Sequence, residues 1–173
     1  MKKTLCLLIL TVFLSISLCA CNKPAYSKPI EAAIQMTYYG NEEFIKYAAP
    51  QEYFEWYEKE YDRKFENYCD DWENDQWLKM FGNDYKVTYE ITNEEKVDRD
   101  TLDTIKEYLE DKYSIKPSHV KKAYSFDIEF FVKGSDDEDS SKWEDMYSVK
   151  IRNNWYLVKI YDYGGVGFCY DAW

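Results

Sequence analysis

The chain has 173 residues, enough for one domain with its own core and short for two. Setting aside Lys2 and Lys3 of the N-terminal run leaves 20 bases against 33 acids, a net charge of −13. That balance argues against nucleic-acid binding, which needs clustered Lys and Arg, and Lys116, Lys121 and Lys122 form the one small basic cluster. It predicts instead a solvated acidic surface. The 18 Tyr and six Trp are aromatic surface that fills cores first and stacks on sugars or peptides second.

Lys2-Lys3 and the apolar run Thr4 to Leu18 have the form of a signal peptide, a positive n-region and then a short h-region. The run has 15 residues, where a spanning helix needs about 20. Leu18-Cys19-Ala20-Cys21 then resembles the lipobox of bacterial lipoproteins, with an aliphatic residue at −3, a small one at −1 and the cysteine that becomes lipidated. The resemblance implies that residues 1–20 are a signal peptide, that cleavage falls before Cys21, and that its sulfur carries a diacylglyceryl group. Several acyl chains anchor a protein stably where one does not, so the expected address is the extracytoplasmic face of the cell membrane. Residues 21–28 are expected to form a lipidated tether and 29–173 a single α+β domain. Asn22 to Lys28 reaches about 23 Å when extended, and a strongly acidic domain beside anionic lipid is expected to stand off.

Pro29 suits a first helical position, and Ile30, Ala33, Ile34, Thr37 and Tyr38 share one helical face. Gly40 ends that helix; Asn41 caps a second, Glu42 to Ala49, which Pro50 closes. Phe54, Tyr57, Tyr61, Phe65, Tyr68 and Trp72 track a 3.6-residue repeat, so a long helix is predicted, with Cys69 on its buried stripe and Gly82-Asn83-Asp84 ending it. Tyr85 to Thr92 alternates as a strand. A third amphipathic helix, from about Asp100 to Tyr113, buries Leu102, Ile105 and Leu109, and Pro117 marks its exit. Tyr124, Phe126, Ile128, Phe130 and Val132 make a long strand whose alternate positions include Asp127 and Glu129. Gly134 to Lys142 reads as a polar loop, and the tail from Gly164 is glycine-rich before it ends in aromatics.

The segment Tyr147 to Tyr161 reads as a hairpin turning at Asn153-Asn154, since Asn tolerates the positive φ of a tight turn. That turn pairs Arg152 with Trp155, Ile151 with Tyr156, Val149 with Val158 and Tyr147 with Ile160. One face then holds Tyr147, Val149, Ile151, Tyr156, Val158 and Ile160, without a charge among them.

Helices followed by antiparallel strands with another helix between them are an α+β plan. The lipobox, the break Tyr39-Gly40-Asn41-Glu42-Glu43-Phe44, the strand entry Lys121-Lys122-Ala123-Tyr124 and the closing hairpin Val149 to Leu157 resemble small Gram-positive lipoproteins with the cystatin-like cone of nuclear transport factor two. The resemblance implies N-terminal helices packed on a curved antiparallel sheet of about four strands. One strand between the long and third helices, where that fold often has a hairpin, implies a shallower cone.

His119 is the one histidine, which excludes His-paired nucleophiles and multi-histidine metal sites; in its polar loop a solvated side chain is expected. Asp136-Asp137-Glu138-Asp139 fails the EF-hand pattern, because Lys142 and Ser148 stand where Gly and Glu are required. No phosphate loop or nucleotide fingerprint occurs, and no metal or cofactor is expected. The leading expectation is a membrane-anchored module that binds a small ligand, glycan, peptide or surface protein. The alternatives are an isomerase- or dehydratase-like enzyme using a buried carboxylate and a Tyr, and an inhibitory or immunity-type surface lipoprotein.

With Cys6 and Cys19 in the leader and Cys21 as anchor, Cys69 and Cys169 are left inside the domain. Outside the membrane they can form a disulfide that pins the tail to the long helix; otherwise Cys69 is a small core residue and Cys169 never meets it. A thiol count on the unreduced mature protein decides between them, with two free thiols from this pair ending the disulfide.

Overall fold

The computed structural model describes residues 24–65, 74–161 and 165–168, with side chains from 77 onward in the third helix. Cys21, Cys69, Cys169, Tyr68 and Trp72 lie outside the described residues. A 3-10 turn at Ala25–Ser27 leads into α1 (Lys28–Thr37), followed by a 3-10 helix at Glu42–Tyr47, α2 (Gln51–Tyr61) and α3 (Asn74–Phe81). Then come β1 (Lys86–Lys96), α4 (Arg99–Tyr113), a 3-10 turn at Pro117–His119, β2 (Val120–Lys133), β3 (Glu138–Ile151), β4 (Asn154–Ile160) and β5 (Val166–Phe168). The strands form one five-stranded antiparallel sheet in sequence order. The fold is α+β, with N-terminal helices on that sheet.

The helices begin and end where their chemistry directs. Gly40, at φ 60°, follows α1, and its N–H donates to Met36 C=O. Asn41 accepts from Glu43 N–H at 3.3 Å, but the helix it caps is 3-10 and stops at Tyr47, short of the expected Ala49. Pro50 stands at the start of α2 and not at the end of its predecessor. Asp98 caps α4 by accepting from Thr101 N–H at 2.8 Å, which holds its carboxyl below the usual range.

The expected single long helix is interrupted among the described residues. Asp62 turns left-handed at φ 49°, and α2 ends at Tyr61. The buried stripe accordingly runs through Tyr53 and Tyr57, while Tyr61 in the last turn is 58 % exposed. Tyr53, fully buried, meets the rings of Phe54, Trp56, Tyr57, Phe65, Tyr113 and Phe168 at 5.1–6.3 Å. The aromatic content thus serves the core first.

The sheet is larger than expected. Glu138 to Lys142, read as loop, opens β3 by pairing with β2, which shortens the connection to 134–137. Gly134 there lies so close to α3 that a Cβ would overlap the Phe81 carbonyl. The tail supplies a fifth strand: Val166, Gly167 and Phe168 pair with β4, all three buried. Tyr113 O–H donates to Val166 C=O at 3.3 Å.

The hairpin corrects the expected register. Its turn is Arg152-Asn153, so Ile151 pairs with Asn154, Lys150 with Trp155, Val149 with Tyr156 and Tyr147 with Val158. Val149 and Val158 do not face each other, although both are fully buried. The displacement is two residues along one strand, which leaves each side chain on its expected face. Arg152 takes the positive φ, 53°, at a position where Asn was expected. Its guanidinium bonds both carboxylate oxygens of Glu52 on α2, and its N–H donates to His119 C=O at 2.7 Å. These tertiary partners hold the turn one residue early. His119 is half-buried, with Nδ1 buried and unpaired among the described residues, where a solvated side chain was expected.

β2 is flanked by two bulges at one level. On β1 an extra residue lies between Thr92 and Glu95, and on β3 another lies between Trp143 and Met146. Each bulge holds a residue at positive φ, Asn93 at 54° and Asp145 at 56°, the non-glycine types that tolerate it best. Asp127 on β2 joins them: it accepts from Asn93 Nδ2 at 2.8 Å and from Asp145 N–H at 3.2 Å, and pairs with Lys142 Nζ at 3.1 Å. The Asn93 bond foremost, with Lys142, depresses its carboxyl pKa. Asp127→Ala should cost roughly 1–3 kcal/mol in urea unfolding. Because the native pKa is lowered, this contribution is complete above the ordinary aspartate value of about 3.9. It is lost as pH falls through the native value, so the variant's stability should change less with pH across the acid range.

Candidate functional site

The N-terminal segment is built into one face of the sheet. Tyr26 stacks on Tyr124 at 4.7 Å and on Phe126 at 6.0 Å, and meets Trp155 edge-on at 6.1 Å. Its carbonyl accepts from the buried Ser148 hydroxyl at 2.8 Å. Its own hydroxyl donates to Glu94, and burial together with that bond raises the phenol pKa. Tyr26 and Ser27 are buried, so the packed fold begins inside the stretch expected to be tether.

Beside this point a groove of about 470 Å³ opens between α1, the 3-10 helix Glu42–Tyr47 and the tip of the β3–β4 hairpin. Ala25, Lys28 and Pro29 form one wall, Phe44 and Tyr47 another, and Lys150, Trp155 and Tyr156 the third. Tyr47 is 50 % exposed. The Trp155 ring carries two lysines, Lys122 Nζ at 5.3 Å and Lys150 Nζ at 5.8 Å from its centroid, the geometry of cation–π contact. Among the described residues Lys28, Lys122 and Lys150 make no ion pair, whereas Lys106, Lys133 and Lys142 do. Glu31 is the carboxylate in the lining, and it accepts from the Tyr89 hydroxyl at 3.4 Å. The groove therefore offers aromatic faces, amide groups from Asn153 and Asn154, and an excess of positive charge.

A second hollow of about 790 Å³ lies between the 3-10 helix and α2 and ends on Phe65. Phe65 borders residues outside the described set.

The arrangement sought for acid–base chemistry is a carboxylate buried within reach of a Tyr hydroxyl. The buried polar side chains among the described residues are Ser27 and Ser148, neither of them acidic. Two carboxylates that meet Tyr hydroxyls among the described residues, Glu94 and Glu31, are exposed. Among the described residues no three His, Cys, Asp or Glu side chains converge as metal ligands. Asp136 and Asp137 lie in the β2–β3 connection, with Glu138 and Asp139 on β3. No helix among the described residues is long and apolar enough to cross a membrane.

The sequence pointed to aromatic surface and to the three cysteines, not to this groove. Trp155 was legible as a hairpin residue, but its lysine partners come from β2 and β3 and its wall from α1. Tyr47→Ala should change stability by less than about 0.5 kcal/mol, as expected for an exposed surface position. Trp155→Ala should cost roughly 1–3 kcal/mol, below the range for a fully buried Trp; urea unfolding of both variants checks the contrast. No family model matches the chain, and neither does any curated protein or solved structure.

Proposed function

We propose that this chain is an extracytoplasmic lipoprotein anchored through Cys21, and that its domain is a recognition module working at the membrane surface through the groove beside α1. The observation that carries the reading is the sequence Leu18-Cys19-Ala20-Cys21, which ends only four positions before Ala25, where the packed fold begins. A removable leader, a modifiable cysteine and a domain starting at once after it are what a lipid-anchored module requires. The groove supports recognition over catalysis, since it presents rings, amides and lysines to solvent without a buried acid. Aromatic faces with adjacent cations suit a ligand with an apolar or ring face and negative charge. The cone-like form belongs to the same reading: bulges bend and twist strands, and the pair flanking Asp127 favours a bent sheet.

Expression in a Gram-positive host tests the anchor. The mature chain should begin at Cys21 carrying a diacylglyceryl mass, and should partition into the detergent phase of a cloud-point extraction. Cys21→Ala should lose the added mass and leave the detergent phase. An unmodified Cys21 in the wild-type chain overturns the reading.

A further inference from the structure

The groove lies at the end of the fold nearest the anchor, and this decides what it meets. Residues 22–24 are all that separate Cys21 from Ala25, so the two Cα atoms are at most about 14 Å apart. Pro24 is extended at φ −62° and ψ 148°, and Ala25 is already a groove wall. The fold cannot pay out more chain at this point. Tyr26 is wedged against Tyr124 and Phe126, its carbonyl is bonded to Ser148, and the Ser27 hydroxyl donates to Pro24 C=O at 2.8 Å. With acyl chains on Cys21 in the bilayer, Ala25 and the surface around it are held at the level of the headgroups.

That surface differs from the rest of the chain. Lys28 and Lys150 line the groove with Ala25, and Lys122 on β2 lies beside Lys150 and over the Trp155 ring; none of the three makes an ion pair among the described residues. Tyr47, which is exposed, and Trp155, which is half-buried, are amphipathic aromatic types that settle at membrane interfaces. The opposing charges nearby are Glu31, held by Tyr89, Glu94, held by Tyr26, and Glu42 and Glu43 at the start of the 3-10 helix. Glu52 also stands at the hairpin turn, where Arg152 neutralises it, whereas Asp136 to Asp139 lie at the β2–β3 connection. Screening over roughly 8–10 Å mutes such distant charges at physiological salt, whereas lysines at the surface feel anionic lipid directly.

We propose, resting on the lipid-anchor reading, that the groove and its lysine rim dock on the anionic phospholipid headgroups of the membrane that holds the chain. The net charge of the domain predicts a stand-off; the local charge at the anchor end reverses it. The domain then lies against the bilayer with the hairpin tip at the headgroups, and the β2–β3 connection points elsewhere.

The test uses the full mature lipidated chain in vesicles of phosphatidylcholine alone or mixed with phosphatidylglycerol. Quenching by acrylamide and by brominated acyl chains is read for Trp155 as the difference from Trp155→Phe. On the anionic vesicles, acrylamide quenching of Trp155 should fall several-fold relative to the neutral ones, and high salt should restore it. A lipidated Lys28→Glu, Lys122→Glu, Lys150→Glu variant should show no such protection. Hydrogen exchange on the unsubstituted chain, which needs no variant to fold, should slow at 42–47 and 152–155 on anionic vesicles only. If the chain floats with both vesicles but Trp155 and these amides are equally exposed on each, docking is overturned while the anchor stands, and the groove is open to a glycan or peptide. If the chain carries no lipid and floats with neither, the anchor reading and the docking fail together.

Discussion

Asp127 is the constraint on which the sheet depends. A carboxylate midway along the interior strand β2, only 13 % exposed, would be a liability in a strand meant for a core. It is instead the acceptor for two bulges, one on each neighbouring strand, and it holds Lys142 as well. Each bulge shifts the pairing by one residue, so below Asp127 the partners of Ser125 and Phe126 differ from those an unbroken ladder would give. Phe126, Ile128, Phe130 and Val132 stay on one buried face throughout, because at the level of Asp127 the extra residues lie in β1 and β3, while the extra residue of β2 falls earlier, between Val120 and Lys122. A polar side chain thus sets where the apolar ones land.

The two faces of the sheet are covered by different parts of the chain. Tyr26 lies over Tyr124, Phe126 and Trp155, and Tyr38 reaches Phe130 and Trp77, so the N-terminal segment and α3 share one face. Phe168 stands opposite Val158 and meets Tyr53 and Tyr113, which places α2 and α4 on the other. Buried polar groups are tied off between these layers. Tyr85 O–H donates to Tyr38 C=O, with burial pushing its pKa up to about 12, and Ser148 bonds Tyr26. Burying a polar group without a partner is costly, so these bonds fix the N-terminal segment in place and leave the groove at its edge.

Charge acts here by position more than by sum. The acids dominate the total, yet they are spent along solvated helix faces and in the β2–β3 connection. Lys112, by contrast, lies over three rings, Trp56 at 4.7 Å, Tyr113 at 5.1 Å and Tyr108 at 5.7 Å, and serves as packing between α2 and α4. The lysines at Trp155 have a similar aromatic partner, and Lys150 of the two opens onto the groove.

Local sequence was enough for the class of fold, for α1 and α4, for the alternation of β1 and β2, and for the shared face of Val149, Ile151, Tyr156 and Val158, though not for the burial of Ser148 and Leu157 on the opposite face. These follow from periodicity and capping, interactions that span only a few residues. It also carried the expectation about Cys21, which concerns residues outside the described part. Only tertiary structure decided the rest. The break at Asp62 put Tyr53 at the centre of the aromatic cluster, a choice between adjacent helical stripes that Phe168 and Tyr113 settle from distant strands and helices. Pairing with β4 made a strand of three residues too short to show a pattern. The Arg152–Glu52 pair joins residues 100 apart and holds the turn one position from where asparagine chemistry alone would put it. The groove has the same origin: its walls come from three separate segments, and no local rule brings Lys28, Tyr47 and Trp155 together.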